Sequence, residues 1–211
     1  MSWLIEPQEV LNSSPIVPVM VIKDVEDAVP MAAALLEGGI SVFEITLRTE
    51  AALGAISAIS KAFPDALVGA GTVLTPAQYD AAVEAGATFV ISPGFTPKLL
   101  EHAAKGPAPI LPGVSTPSEI MLAAEMGYTY LKFFPAEANG GAAALKAISA
   151  PLADIRFCPT GGINPDNMMK YLNLPCVAAI GGSWMLPADA IRDKNWQHIT
   201  TLTKNALAMI G

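Results

Sequence analysis

The amino-acid sequence predicts an α/β protein in which strands and helices alternate along one domain of 211 residues. Short runs of β-branched and apolar residues are separated by longer alanine-rich segments throughout the chain. A signature of the form Glu-x-Gly-x-Ser/Thr recurs at residues 37–41, 84–88 and 125–129. No polar linker or low-complexity tract interrupts this alternation, which is typical of repeated βα units around a single core.

The repeated signature indicates where a helix ends and the next strand begins. It reads EGGIS, EAGAT and EMGYT in its three copies. A glycine just after a helix can adopt the left-handed conformation that closes the last turn, and the chain then enters a strand. Successive copies lie about 40 to 47 residues apart, which corresponds to two βα units of roughly 20 residues each. A further unit is therefore expected between copies.

Filling in these units gives eight strands. They are expected at residues 17–22, 42–45, 67–70, 89–91, 109–111, 130–133, 155–157 and 177–180. The intervening helices are expected to begin at cap residues, which are Asp24, Thr49, Thr75, Thr96, Thr116 and Asn164. Four of these caps precede a proline, which suits the first helical position because its missing N–H has no partner there. Further helices are expected at residues 7–13 and 196–209.

Eight βα units predict a closed (β/α)8 or TIM barrel that spans residues 1–211 as one domain, with an additional N-terminal helix. An open, doubly wound sheet is the structural alternative. It is disfavoured because no GxGxxG motif follows the first strand and no topological switch point can be located.

The composition excludes several functional classes. The formal net charge is −7, without a cluster of lysine and arginine, which argues against nucleic acid as a partner. No stretch approaches the roughly 18 apolar residues of a membrane span, and the N-terminus lacks the layout of a signal peptide, so we expect a cytoplasmic protein. Cys158, Cys176, His102 and His198 lack metal-ligand spacing, so we expect reduced buried thiols, surface histidines and no metal.

Lys132 is the first candidate functional residue. It stands in YLKFFPAEANGG, at the end of the sixth strand, and strand ends form the active face of such a barrel. Side-chain alternation puts Lys132 on the same face as Tyr130 and Phe134. If this face points inward, desolvation favours the neutral amine, which attacks carbonyls to form a Schiff base. The ordinary alternative is a lysine whose head reaches solvent.

Two more ionisable residues lie near the end of the second strand. Glu44, in VFEIT, is expected to point into the same lumen, where a carboxylate is costly unless it carries protons. Arg48 begins a helix, where the positive end of the helix dipole disfavours a cation unless an anion binds beside it. We therefore expect an acid/base role for Glu44 and a substrate carboxylate at Arg48, against the alternatives of a surface glutamate and a locally bonded arginine.

Glycine pairs follow the last two strands. They are Gly161-Gly162 and Gly181-Gly182, the second followed by Ser183. Each pair alone is ordinary turn chemistry, but both stand at the loops where barrels commonly hold phosphate. The site residues together predict a phosphorylated small molecule that carries a carboxylate and a carbonyl.

These residues occur in motifs that resemble the 2-keto-3-deoxy-6-phosphogluconate (KDPG) aldolase family, class I enzymes of the Entner–Doudoroff pathway. The motifs are VPVMVI, FEITLRTE, VGAGTVL, ISPG, LPGVSTPSE, LKFFPAEANGG, RFCPTGGI and IGGSW, in order along nearly the whole chain. The resemblance implies a homotrimeric TIM barrel without metal or other cofactor. It implies cleavage of a phosphorylated keto-deoxy sugar acid to pyruvate and glyceraldehyde 3-phosphate.

The resemblance also implies residue roles. Lys132 is the Schiff-base lysine, Glu44 transfers protons, and Arg48 and Thr72 hold the pyruvyl carboxylate. The remaining implied contacts are Pro93 and Phe134 along the pocket, Thr160 at the aldehyde end, where it affects stereochemical preference, and Gly161, Gly162, Gly182 and Ser183 at the phosphate.

Some members of the family carry arginine where this chain has Val21, which leaves phosphate dependence open. Alternative substrates are 4-hydroxy-2-oxoglutarate and 2-dehydro-3-deoxy-6-phosphogalactonate. A barrel that binds sugar phosphates without turnover is the non-enzymatic alternative.

Overall fold

Parallel strands form the centre of the computed structural model, which describes residues 1 and 3–211. Within that range the strands are β1 Ile16–Met20, β2 Val42–Thr46, β3 Leu67–Gly71, β4 Phe89–Ile91, β5 Ile110–Leu111, β6 Gly113–Val114, β7 Tyr130–Phe133, β8 Arg156–Pro159 and β9 Ile180–Gly182. The helices are α1 Pro7–Asn12, α2 Ala28–Glu37, α3 Ala52–Ala62, α4 Pro76–Glu84, α5 Pro97–Ala103, α6 Pro117–Glu125, α7 Gly141–Ser149, α8 Met168–Leu172, α9 Ala188–Arg192 and α10 Trp196–Ala208. A 3-10 turn, Val25–Asp27, leads into α2.

The strands close into the predicted (β/α)8 barrel. One sheet runs in the order β5-β4-β3-β2-β1-β9 and a second in the order β6-β7-β8. A parallel bridge between Thr160 and Gly181 joins β8 to β9. At the other junction β5 lies within the predicted fifth strand, and β6 continues the chain beyond its predicted end at residue 111. The two are separated by Pro112, which has no N–H to donate to the ladder.

The helix signals in the sequence are confirmed at most positions. The side chains of Thr75, Thr96 and Thr116 each accept a hydrogen bond from the third residue of the following helix, and proline occupies the first turn. The signature glycines that follow α2, α4 and α6 have φ of 100°, 106° and 90°. These positive angles strongly favour glycine, so the repeated signature has the role predicted for it.

Two predicted helix starts are wrong. Helix α3 begins at Ala52 rather than at Thr49, whose hydroxyl donates to the carbonyl of Ile22 and ties the loop to the preceding βα unit. Helix α8 begins at Met168 rather than after Asn164, whose side chain accepts from the N–H of Asp166 and forms a turn ahead of the helix.

The last two strands lie further along the chain than predicted. Strand β8 covers Arg156–Pro159, and β9 begins only at Ile180. Val177, which was expected to begin the last strand, makes an isolated bridge to Phe157. The shift moves Gly181 and Gly182 from a loop into β9 itself.

The described part of the chain has no helix long and apolar enough to cross a membrane. It also has no group of three or more histidine, cysteine, aspartate or glutamate side chains placed to hold a metal ion. Both thiols are free, but only Cys158 is fully buried, so the expectation of two buried cysteines is wrong for Cys176, which is partly exposed. His102 lies 2.7 Å from Asp80 at the surface, and His198 is exposed.

Candidate active site

Lys132 and Glu44 meet inside the barrel. The Nζ atom of Lys132 lies 3.2 Å from Oε1 of Glu44, and the two residues are 4% and 1% exposed. The flanking residues Leu131 and Phe133 are 0% exposed and belong to the hydrophobic core. The structure thus brings together the two side chains that the sequence placed on separate strands.

The strands around the pair leave room for it. In the ladder, Lys132 on β7 lies opposite Gly113 on β6 and Cys158 on β8. Glu44 on β2 lies beside β3, where a Cβ atom built on Gly71 would lie 2.2 Å from the Glu44 Oε1 atom. Non-bonded carbon and oxygen atoms cannot approach so closely, so the absence of a side chain at position 71 makes space for the carboxylate.

Burial makes the lysine–glutamate contact energetically important. An ion leaving water costs several kcal/mol in real proteins, and only a close partner of opposite charge offsets that cost. The Phe134 ring adds a second contact, because its centroid lies 5.0 Å from the Lys132 Nζ atom, within the range of a cation–π interaction. The site therefore holds an amine whose proton can pass to an adjacent carboxylate.

Cys158 is the nearest other nucleophile along the ladder. Burial, followed by the negative charge of Glu44, raises the pKa of the Cys158 thiol from 9.0 to about 12, and the opposing effects of Lys132 and Thr160 are smaller. A thiol with this pKa is protonated at neutral pH. Since the thiolate rather than the thiol is the nucleophile, Cys158 does not compete with the amine for a carbonyl.

Arg48 and Thr72 form a second cluster, at the ends of β2 and β3. The Arg48 Nε–H donates to Oγ1 of Thr72 at 3.2 Å. Thr72 has a φ of 61°, which is rare for a β-branched residue and costs of order 1–3 kcal/mol. This strained backbone places the threonine hydroxyl against the exposed arginine, in a position where both can contact a carboxylate.

A cavity of about 260 Å³ opens beside these clusters at the carboxyl ends of the strands. Several of the predicted site residues line it, namely Arg48, Phe134, Thr160, Gly161, Gly162, Gly182 and Ser183. Pro93 is not in that lining. It packs against Gly113, the residue opposite Lys132 in the ladder, because a Cβ atom built on Gly113 would be 2.2 Å from the Pro93 backbone. Lys132 and Glu44 also lie outside the lining, enclosed in the barrel.

The loop after β8 turns through two residues with left-handed backbone, Gly161 with φ of 107° and Gly162 with φ of 77°. In the described part of the chain, neither glycine N–H donates a hydrogen bond. Successive peptide N–H groups in such a turn form a concave anion site. Thr160, at the base of the loop, is 7% exposed.

Sequence reasoning missed the hydrogen bonds that hold this loop against the loop after β7. The backbone N–H groups of Ala136 and Glu137 donate to the carbonyls of Thr160 and Gly161 at 2.8 and 3.0 Å. The hydroxyl of Tyr171 hydrogen-bonds to the Glu137 carboxylate, and burial together with that carboxylate raises the pKa of Tyr171. The glutamate of the PAE sequence therefore links the loop after β7 to helix α8.

Sequence reasoning also missed a larger cavity of about 600 Å³ next to the first. The two cavities share Val19, Val21 and Ser183 in their walls. The larger one also has Lys23 and Arg192 in its lining. Side-chain alternation in the sequence could have indicated it. Val19, Val21 and Lys23 are each two residues apart, so they are expected on the same face of the chain at and beyond the end of the first strand.

Fold and site together define a barrel enzyme of the class I aldolase type, in which a lysine amine attacks a carbonyl. Residues 8–202 match the family described as KDPG and KHG aldolase. The chain belongs to this family.

Relatives resemble the chain over nearly its whole length. The 2-dehydro-3-deoxy-phosphogluconate aldolase of Pseudoalteromonas atlantica is 53% identical over 207 residues, covering 98% of this chain and 96% of the relative. The KHG/KDPG aldolase of Escherichia coli K12 is 52% identical over 206 residues, covering 98% and 97%.

Solved structures agree with this assignment. The KDPG aldolase of Legionella pneumophila, with pyruvate captured at low pH as a covalent carbinolamine, matches with a TM-score of 0.95 and 50% identity over 97% of this chain and 99% of that one. The Zymomonas mobilis aldolase with 3-phosphoglycerate matches with a TM-score of 0.89 and 46% identity over 95% and 94%.

Proposed function

We propose that this chain is a class I aldolase that cleaves 2-dehydro-3-deoxy-6-phosphogluconate to pyruvate and glyceraldehyde 3-phosphate through a Schiff base on Lys132. The observation that carries the proposal is the 3.2 Å contact between the buried Lys132 amine and the Glu44 carboxylate. It occurs in a chain 50% identical to an aldolase that holds pyruvate as a covalent carbinolamine.

The first stage of the reaction builds an electron sink. The neutral amine of Lys132 attacks the C2 carbonyl of the substrate and forms a carbinolamine, which loses water to give a protonated imine. Glu44 can take the proton that the amine releases, because its carboxylate lies within hydrogen-bond distance, and return it to the C2 hydroxyl as that group leaves as water. Glu44 is then ionised again for the next step. The iminium nitrogen then draws electrons from the C3–C4 bond, so the proposed mechanism uses no metal or other cofactor.

The second stage breaks the carbon–carbon bond. Glu44 accepts the proton of the C4 hydroxyl, directly or through a water molecule, while the C3–C4 electron pair moves into the enamine. Glyceraldehyde 3-phosphate leaves, and the enamine is protonated at C3 by the same glutamate. Hydrolysis of the imine releases pyruvate and restores the amine, so one carboxylate serves both proton transfers and ends each cycle unchanged.

The remaining site residues bind the two ends of the substrate. In our proposal Arg48 and Thr72 hold the pyruvyl carboxylate, which the guanidinium binds through charge-assisted hydrogen bonds. The helix-dipole penalty expected for Arg48 from the sequence does not apply, because α3 begins only at Ala52. Phe134 lines the pocket around the imine, Pro93 packs against Gly113 beside Lys132, and Thr160 faces the aldehyde. The phosphate is held by peptide N–H groups of Gly161 and Gly162 in the loop after β8 and by Ser183 just after β9, while Gly182 at the end of β9 leaves room for it.

Reductive trapping tests the central step. Incubation with pyruvate and borohydride should convert the imine to a stable amine and add one reduced pyruvate to the peptide that contains Lys132. The same digest supplies the control, because peptides containing the other lysines should keep their mass. An unmodified Lys132 would end this mechanism. Turnover is then measured as pyruvate release, coupled to lactate dehydrogenase.

The name of one relative suggests a second substrate for this chain. The Escherichia coli protein that is 52% identical to this chain is named KHG/KDPG aldolase, and we therefore expect cleavage of 4-hydroxy-2-oxoglutarate as a second activity. Comparing kcat/KM for this substrate, 2-dehydro-3-deoxy-6-phosphogluconate and the phosphogalactonate analogue ranks the three. A sugar-phosphate binder without turnover would bind the phosphorylated acids and form no imine.

We also propose one folding domain across residues 1–211 and a homotrimer in the cytoplasm. Helix α10 packs on α2, where the Thr200 hydroxyl donates to the carbonyl of Ala34 at 3.0 Å, so the C-terminal helix is part of the barrel. Met121 and Leu122 on α6 are 56% and 41% exposed, which suits a surface for self-association. Light scattering measures the assembly, and a monomeric mass would contradict the trimer.

A further inference from the structure

The larger cavity lies beside the candidate phosphate site. Ser183, which follows β9, lines both cavities, as do Val19 and Val21 at the end of β1. With a volume of about 600 Å³ this second space exceeds the first, and its walls include Lys23. A ligand held at Ser183 therefore faces the space that Lys23 borders.

The chain after β1 presents Lys23 toward this space. Ile22 is 1% exposed and belongs to the hydrophobic core, whereas Val21 before it is 38% exposed and Lys23 after it is exposed. The Ile22 carbonyl accepts the hydroxyl of Thr49, and the Asp24 side chain accepts from the N–H of Glu26 at 3.0 Å. These contacts hold the segment on both sides of the lysine, so its position does not depend on a loose loop.

The other charged groups at this cavity already have partners. Asp27 lies 3.5 Å from the Lys194 ammonium. Arg192 donates two hydrogen bonds to the Asp193 carboxylate, at 2.8 and 3.0 Å. Within the part of the chain that the structure describes, no salt bridge involves Lys23. The lysine thus borders the cavity without a direct ion pair to any described carboxylate.

A positive charge strengthens the binding of a phosphate group. Peptide N–H groups are neutral donors, whereas a phosphate monoester carries nearly two negative charges at pH 7, and the chain itself has a formal net charge of −7. In the proposed function Arg48 is engaged by the carboxylate at the opposite end of the substrate. A lysine supplies a mobile point charge on a long stem, which suits the open side of a phosphate site.

We infer that Lys23 is a specificity-determining residue, whose ammonium approaches the terminal phosphate from the larger cavity and raises the preference for phosphorylated over unphosphorylated sugar acids. This inference rests on the proposed function. It adds a residue to the phosphate end of the substrate and leaves the imine chemistry at Lys132 unchanged.

The test compares two substrates that differ only in phosphate, 2-dehydro-3-deoxy-6-phosphogluconate and 2-dehydro-3-deoxygluconate. In Lys23→Met the ratio of their kcat/KM values should fall about tenfold to a hundredfold, as expected for loss of one hydrogen bond to a charged group. Most of the change should be in KM for the phosphorylated acid. Lys23→Arg, which keeps the charge, should retain most of the ratio.

Lys61→Met is the matched control, because Lys61 is exposed in the last turn of α3, at the opposite end of the barrel from the site. It changes the net charge equally and should leave the ratio at the wild-type value. Inhibition by 3-phosphoglycerate gives a readout without turnover, and its inhibition constant should rise by the same factor in Lys23→Met.

The outcomes separate the two ideas. If wild-type protein forms the pyruvate imine but Lys23→Met keeps the substrate ratio and the inhibition constant, the role of Lys23 is wrong and the aldolase proposal stands. An equal loss on both substrates would show a structural effect and would also overturn the inference. If wild-type protein forms no imine, the proposed function itself fails, whatever 3-phosphoglycerate binding shows.

Discussion

Gly71 and Glu44 lie so close across strands β3 and β2 that a methyl group on the glycine would occupy the space of the carboxylate. The Cβ position of residue 71 lies 2.2 Å from the Glu44 Oε1 atom and 2.7 Å from its Cγ atom. Glu44 is 1% exposed, so its carboxylate is enclosed by neighbouring residues. The glycine of the GAGT sequence therefore determines where the carboxylate stands relative to Lys132.

Gly71→Ala should displace Glu44 and slow turnover. We expect kcat to fall at least tenfold, since a carboxylate moved by about 1 Å loses its proton-transfer geometry, and the free energy of unfolding to fall by about 1–3 kcal/mol from overpacking. Steady-state kinetics and urea unfolding measure the two effects. Gly94→Ala is the control, because a Cβ atom there meets nothing within 4 Å. Wild-type kcat in Gly71→Ala would contradict the proposed constraint.

Glu44→Gln should slow the exchange of pyruvate methyl protons for deuterium by about a hundredfold or more, the usual contribution of a general acid/base. Trapping of the imine by borohydride should persist, because the amine remains. NMR of the pyruvate methyl signal gives the exchange rate. Exchange at the wild-type rate would remove Glu44 from its role.

Lys132→Met should abolish trapping and also destabilise the fold. It leaves the Glu44 carboxylate buried without its partner, at a cost of about 3 kcal/mol in the free energy of unfolding. Adding Glu44→Gln removes the stranded charge, so the double variant should be more stable than Lys132→Met alone. Urea unfolding of both single variants and the double variant gives the coupling energy. Purely additive losses would show that the pair is not energetically coupled.

Thr72→Gly should weaken pyruvate binding with little loss of stability. Glycine accepts a φ of 61° without strain, which stabilises the folded state. Glycine also gives the unfolded chain more conformational freedom, which opposes this gain. We therefore expect the free energy of unfolding to change by no more than about 1 kcal/mol. Arg48 loses its hydroxyl partner, and we expect a roughly tenfold higher pyruvate concentration for half-maximal exchange. Thr72→Ser keeps the hydroxyl and should bind pyruvate normally. A Thr72→Gly variant with unchanged pyruvate dependence would contradict the pairing.

Cys158→Ala should flatten the loss of stability at alkaline pH. The folded thiol has a pKa of about 12 against 9.0 for an unperturbed thiol, so above pH 9 the unfolded chain loses a proton that the folded chain keeps. The stabilising effect is complete below pH 9 and is lost as pH rises toward 12. The slope attributable to this thiol approaches about 1.4 kcal/mol per pH unit. Urea unfolding between pH 8 and about pH 10.5 measures it, and equal slopes in both proteins would refute the assignment.

Local patterns in the sequence predicted the barrel because they reflect interactions within a few residues. The three threonine caps before proline and the signature glycines close helix ends by contacts with their own neighbours, so they could be recognised without knowledge of the tertiary structure. The hydroxyl of Thr49 instead donates a hydrogen bond to the carbonyl of Ile22, which is distant in the chain. Local reasoning could not foresee this contact and therefore placed the helix start wrongly.

The sequence by itself determined which residues meet, through two rules: side chains alternate along a strand, and the carboxyl ends of parallel strands gather on one face. These rules brought Lys132, Glu44, Arg48 and the glycine loops to one end of the barrel. Only the tertiary structure decided how close they are and what surrounds them. The 3.2 Å contact in the barrel, the hydrogen bond from Glu137 to Gly161 and the cavity beside Lys23 depend on the stagger between strands and on the paths of several loops at once. No pattern within one segment contains that information, because each distance is set by packing between residues far apart in the chain.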